Sequence, residues 1–341
     1  MQLMDCLRVL NKCVDVGFSA GRFPVFEYWR VLVGACVHNT RPEAVSGGVL
    51  PSADWVLGYV GVMRWRQVQE DFRRMIAWTV KVARRQNWFN RPVWCAIDFH
   101  DDRYYGKRYF GVVGCQSKQG TNKCYRVATL DVCEAGRRFT LAVMPIFKGT
   151  KKADVLTYLV SEARKHVKIR RLLLDREFFS IGVFKALGSL KLKYIVCAKQ
   201  TGKLLRTVKG KTRTRYTLEN PEESFTVGLI AHRPDDKTLW VYATNLQSKP
   251  ETIAYTYKRR WGIETGYRSK NKYSANTTTR NYKIRLFLIL LAVVLFNLWV
   301  LTNLLADITT IRKLARKSEY STKVTIFQFK QRLIRQMADN G

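Results

Sequence analysis

The chain has 341 residues, 47% apolar and 12% aromatic, which excludes a disordered basic tail and allows a large core in two or three domains. Sixty Lys and Arg against 26 Asp and Glu leave a net charge of +34, so the expected partner is a polyanion, nucleic acid ahead of an anionic membrane surface. The eight cysteines form no Cys-x-x-Cys pair and the four histidines have no ligand spacing, which speaks for reduced, mostly buried thiols and against structural zinc.

Residues 1–90 read as a helical N-terminal DNA-binding region. Met1 to Leu10 mixes polar and apolar residues around Asp5 and Arg8, without a signal-peptide core. Ser52 to Asp54, after Pro51, predicts a helix start, because Ser or Asp can cap free N–H groups. Val68, Phe72, Met75, Ile76, Thr79 and Ala83 then recur at helical spacing, with Arg66, Arg73, Arg74, Lys81, Arg84 and Arg85 largely off that stripe. The cationic face is either a solvated surface or a contact for DNA backbone.

Strand character begins near Trp94. Val93 to Ile97 predicts a short strand ending at Asp98, with Asp101 and Asp102 beyond it in a polar loop. Arg108 to Cys115 and Tyr125 to Val132 predict two more strands, and Phe139 to Met144 follows an Ala135-Gly136 turn. Ala153 to His166 has helical periodicity, Leu172 to Leu174 reads as a buried strand ending at Asp175, Phe179 to Leu187 as a helix and Tyr194 to Ala198 as a strand. Adjacent strands followed by strands alternating with helices give the order of an RNase H-like (retroviral-integrase-like) α/β core, whose first part is residues 91–199. Acids at strand ends suit the carboxyl edge of an open α/β sheet, where sites gather.

Residues 200–249 predict a β-rich insertion, with a strand at Phe225, Val227 and Leu229 pairing with Leu239 to Ala243. Lys209, Lys211, Arg213 and Arg215 alternate with Gly210, Thr212 and Thr214, which gives one cationic face if the segment is a strand. That face either protects a sheet edge or grips phosphate. Residues 250–306 predict two helices, Pro250 to Arg268 and Ile284 to Leu305, and a basic tail spans 307–341. Leu286 to Ala306 is nearly bilayer length, but a helix apolar all round also suits the centre of a soluble core, which is the preferred reading.

In so basic a chain, isolated acids need a reason. Tyr257, Arg260 and Glu264 fall within about 60° of one another on a helix. Glu264 could simply pair with Arg260 or Arg268, and Asp98 or Asp175 could simply be turn residues. Together, three separated carboxylates suit hard divalent ions, Mg2+ or Mn2+, in phosphodiester chemistry.

At these residues the chain resembles the DDE transposases of prokaryotic insertion sequences, in the branch with a Tyr-x2-Arg-x3-Glu-x6-Lys helix. Tyr257, Arg260 and Glu264 match its spacing, Asp175-Arg176-Glu177-Phe178 is similar to the second-acid motif, and Ala96-Ile97-Asp98 to the first. Phe296-Asn297-Leu298-Trp299 also resembles the segment after the glutamate, so the likeness spans about residues 50–305. It implies that Asp98, Asp175 and Glu264 are catalytic and hold Mg2+ or Mn2+, nicking element ends and joining the freed 3′-hydroxyl to target DNA. It further implies double-stranded DNA partners (terminal inverted repeats and target), a homodimer in the synaptic complex, no membrane, and a cytoplasmic, nucleoid-associated, prokaryotic setting. Tyr257, Arg260, Arg268 and Lys270 would contact DNA, joined by Lys209, Lys211, Arg213 and Arg215.

One position departs from the pattern. The family lysine falls at Asn271, about −20° from Glu264, whereas Lys270 lies about 120° away and Arg268 about 40°. The alternatives are an RNase H-like nuclease without strand transfer and an inactive DNA-binding remnant.

Overall fold

The computed structural model describes residues 3–134, 138–235, 238–314 and 324–338, so the Ala135-Gly136 turn lies outside the described residues. Four helices come first: α1 (Leu3–Cys13), α2 (Val25–His38), α3 (Ala53–Val62) and α4 (Trp65–Arg85). Ser52 caps α3 as its sequence predicts, its hydroxyl accepting from the Trp55 amide at 3.3 Å. Along α4, Val68, Phe72, Met75, Ile76, Thr79 and Ala83 are all buried, so the helical stripe is the core face.

The core then alternates strands and helices: β1 (Val93–Arg103), β2 (Val112–Lys118), β3 (Thr121–Val132), β4 (Thr140–Ile146), α5 (Lys152–Arg164), β5 (Ile169–Leu174), α6 (Ile181–Ser189) and β6 (Tyr194–Cys197). After it come α7 (Gly202–Val208), β7 (Arg213–Glu219), β8 (Ser224–His232), β9 (Trp240–Thr244), α8 (Pro250–Lys258), α9 (Trp261–Asn271), α10 (Tyr282–Leu314) and α11 (Ile326–Ala338). One nine-stranded sheet runs β2-β3-β1-β5-β6-β9-β8-β7, with β4 also against β3. β1, β5 and β6 are parallel, whereas β3 is antiparallel to β1 and β4 to β3. The β-rich segment is therefore no separate body: β9 pairs antiparallel with β6 and prolongs the core sheet.

Several boundaries differ from the sequence reading. β1 continues through Asp98 to Arg103 because His100 to Arg103 pair with Cys124 to Val127 of β3. Asp101 and Asp102 are thus strand residues, their charges met by Arg126 and Arg285; polar side chains with cross-strand partners look like loop in a sequence. The second strand starts at Val112 instead of Arg108. α7 was not legible at seven residues, although Thr201 caps it with a hydroxyl 3.3 Å from the Leu204 amide. Because α7 ends at Val208, Lys209 and Lys211 precede β7, and only Arg213 and Arg215 lie on it. The expected basic tail contains α11, whose Phe329 and Leu333 are buried beside Leu7, Leu10 and Val33.

The long apolar helix is central. Over Tyr282–Leu305, 89% of its most apolar window is buried within the protein. It packs on α2, α3 and α4 and on β3 and β4, so apolar side chains all round find protein on every side. Its buried Asn297 is satisfied: the side chain accepts from the Thr140 amide at 2.9 Å and donates to the Thr140 carbonyl at 2.9 Å and to Thr79 at 3.3 Å. One residue thus ties α10 to β4 and α4. Asn297→Ala should cost about 1–3 kcal/mol by leaving buried backbone groups unpaired; an unchanged denaturant midpoint would refute that role.

Candidate active site

Parallel pairing places the two aspartates side by side. Ile97 pairs with Leu174 across β1 and β5, strands about 4.8 Å apart, and Asp98 and Asp175 are the residues that follow this pair. The Asp98 carboxylate accepts from the Phe99 amide at 2.9 Å. Asp175 ends its strand and caps the following turn, accepting from the Glu177 amide at 2.9 Å. Each carboxylate is therefore fixed by its own backbone before any partner acts.

The helix carrying Glu264 reaches the sheet through an elbow. The amides of Arg259, Arg260, Gly262 and Ile263 each bond the carbonyl three residues back, which tightens the chain between α8 and α9. Gly262 permits the approach: a Cβ there would lie 3.1 Å from the Cys133 carbonyl oxygen. Arg259 lies over the Trp94 ring at 4.8 Å, and the Tyr257 hydroxyl donates to the Leu174 carbonyl at 3.2 Å, just before Asp175.

Arg260 joins the two halves of the site. Its guanidinium meets Asp98 at 3.2 Å and Glu264 at 2.7 Å. Burial raises the Asp98 carboxyl to about 6, with Arg260 opposing and Asp175 and Glu264 adding repulsion. Burial also raises Asp175, helped by Glu177 and opposed by the Glu177 amide, Arg260 and Lys152. Burial works against charge on Arg260, but Tyr257, Asp98, Glu264 and Asp175 more than offset it and raise its pKa. Within this group one cation stands among mutually repelling carboxylates. The oxygens of the three acids do not all lie within 4.8 Å of one another; among the described residues only Asp101, Cys115 and Cys124 meet that distance.

The predicted DNA contacts divide. Arg268, Lys209, Lys211 and Arg215 are exposed. Arg213 is exposed too, but its guanidinium donates to the carbonyls of Leu246 at 3.2 Å and Ser248 at 2.6 Å, holding the chain after β9. Tyr257 and Arg260 are turned into the site, as described. Lys270 is a correction: it is 3% exposed, and its ammonium meets both Asp131 oxygens at 2.9 Å, out of reach of a surface phosphate. Asn271 is exposed and its carbonyl accepts from Asn39 at 2.9 Å.

The network around Lys270 escaped the sequence reading. Asp131 also accepts from Thr129 at 2.7 Å and from Thr140. The Thr129 and Tyr267 hydroxyl oxygens lie 2.7 Å apart, and the Tyr267 hydroxyl donates to the Asp98 carbonyl at 2.9 Å. Polar groups from α9, β1 and β3 thereby hold the backbone of Asp98 from behind. Trp261, next to Arg260, is 66% exposed.

The transposase DDE domain family matches residues 97–297, more than half of the chain and a span that includes all three acids. Among solved structures, a piggyBac transposase synaptic complex with hairpin DNA has a similar fold, with TM-score 0.62 at 13% identity, covering 99% of this chain and 81% of that one. No curated protein sequence matches. The topology is thus that of an RNase H-like DDE fold, and the family match shows that the chain belongs to the transposase DDE domain family.

Proposed function

We propose that the chain cleaves the ends of a DNA element and joins the freed 3′-hydroxyl to target DNA, with Asp98, Asp175 and Glu264 as its catalytic carboxylates. The observation that carries this reading is the bridging Arg260, a cation lodged between Asp98 and Glu264, beside two aspartates that burial, chiefly, and nearby acids raise. All-oxygen donors with excess negative charge fit hard Mg2+ or Mn2+ better than softer metals, and the guanidinium stands where such charge is wanted. When bound, the ions would neutralise the attacking and leaving oxygens in an in-line displacement. β1 and the capped turn after β5 hold the two aspartates, while Glu264 is joined to Asp98 through the shared Arg260.

The remaining roles fall to this chain's own side chains. Arg260 would exchange acid partners for scissile phosphate, and exposed Trp261 offers a face on which an unpaired base can stack. Arg268, exposed on α9, would supply the phosphate contact in place of Asn271 and the buried Lys270. We place the chain in the insertion-sequence branch with the Tyr-x2-Arg-x3-Glu helix, acting as a homodimer on paired inverted repeats in a prokaryotic cytoplasm.

Incubation with a labelled element end and a target plasmid in Mg2+ separates the readings. Strand transfer is expected with wild type and not with Glu264→Gln. Cleaved ends that never become joined would instead favour an RNase H-like nuclease. Equal background nicking by both proteins would favour an inactive DNA-binding remnant.

A further inference from the structure

A second set of donor atoms lies away from the acids just described. Asp101 on β1, Cys115 on β2 and Cys124 on β3 each present one ligand atom, all within 4.8 Å of one another. Strand register builds the group. Asp101 pairs with Arg126, two residues after Cys124, and Val113 opposite Cys124 is two residues before Cys115. The pairing of β2 with β3 shifts after Gly114, which leaves Cys115 free of a directly opposed residue. Successive strand side chains face opposite ways, so Asp98, His100 and Asp102 point to the side of α9 and α10, and Asp101 to the other. Contacts agree: His100 stacks on Tyr267 and Asp102 binds Arg285, whereas Asp101 binds Arg126.

We propose that Asp101, Cys115 and Cys124 form a zinc site, with a solvent water as fourth ligand. Both cysteines are free; Cys124 is buried, while Cys115 and Asp101 are partly exposed, so an ion can enter from solvent. Tetrahedral zinc with bonds of about 2.3 Å to sulfur and about 2.0 Å to oxygen needs donors roughly 3.5–3.8 Å apart. From separations of at most 4.8 Å, zinc binding needs the donors to draw together by about 1 Å. Two thiolates and a carboxylate carry three negative charges, balanced by zinc and the guanidinium of Arg126. Arg126 holds Asp101 through two hydrogen bonds of 2.6 and 2.8 Å, the outer-shell support that orients a metal-binding carboxylate. Thiolate donors select zinc over magnesium, which keeps this site chemically distinct from the catalytic acids. Cysteine spacing gives no hint of it because each ligand comes from a different strand. Bound there, zinc clips the β2–β3 hairpin to the strand that carries Asp98.

Cobalt(II) reports the site directly. Reduced, chelator-treated full-length protein should bind one equivalent with a thiolate-to-metal charge-transfer absorption, displaced by Zn2+ but not by excess Mg2+. Asp98→Asn should keep that band, and Cys115→Ser plus Cys124→Ser should abolish it. Because Cys124 is buried, Cys115→Ser alone provides the second variant, expected to lower zinc affinity roughly tenfold or more while retaining the wild-type far-UV circular dichroism. No thiolate band in wild type, a band that survives the double variant, or unchanged affinity in Cys115→Ser would overturn the assignment.

Discussion

Lys270→Met is expected to destabilise the protein by about 3–5 kcal/mol, because it strips the buried Asp131 carboxylate of the one ion-pair partner it has among the described residues. Burial lowers the Lys270 pKa, and Asp131 opposes that drop by its charge and its hydrogen bonds. Thr129 and Thr140 also donate to Asp131, yet neither supplies charge. The expected signature is a double-mutant cycle: adding Asp131→Asn to Lys270→Met should restore much of the loss, since no unpaired charge is then buried. Denaturant midpoints for the four proteins decide it. A Lys270→Met loss near zero, coupled with weakened DNA binding, would return Lys270 to the surface role first expected of it.

Asp98→Asn has the opposite signature, lost activity with stability kept or gained. If Asp98 is one of the carboxylates that hold the ions, as proposed, its removal should cost several kcal/mol of transition-state stabilisation, a rate loss on the order of 10³-fold. The stability term follows from the raised pKa. In the folded protein Asp98 titrates near 6 and in the unfolded chain near the ordinary value of 3.8. Between those values the native state binds the proton more tightly, so this group's contribution declines as pH rises from about 4 to about 6 and stays unfavourable above. A neutral asparagine removes that cost. In chelator at neutral pH the variant should match or exceed wild type in thermal midpoint, a stability–function trade typical of active sites. A large drop in midpoint would mean that Asp98 serves as a structural partner of Arg260.

Much of this site could be read from residues alone, and the reasons are physical. Asp98 and Asp175 follow apolar runs, and two parallel strands in register put the residues after such runs together. Arg260 and Glu264 are four residues apart, so any helix-like chain makes them neighbours, even through the tightened elbow. The helical angle puts Lys270 about 120° from Glu264, yet the sequence alone still reads it as a DNA contact. What could not be read was its partner, because Asp131 lies on another strand, hidden in an apolar run beside Thr129. The extension of β1 failed for a similar reason: His100, Asp101 and Asp102 look like loop until Tyr267, Arg126 and Arg285 arrive from elsewhere in the fold. Asn297 is the converse case, a polar residue within an apolar run that marks a helix whose every side meets protein.

Iron-directed backbone cleavage tests the central claim most directly. Fe2+ substituting for Mg2+, with ascorbate and peroxide, cuts polypeptide beside the residues that bind it. The account predicts cuts near 98, 175 and 264, suppressed by Mg2+ and absent from Glu264→Gln. Cuts confined to other parts of the chain, or a pattern indifferent to Mg2+, would contradict it.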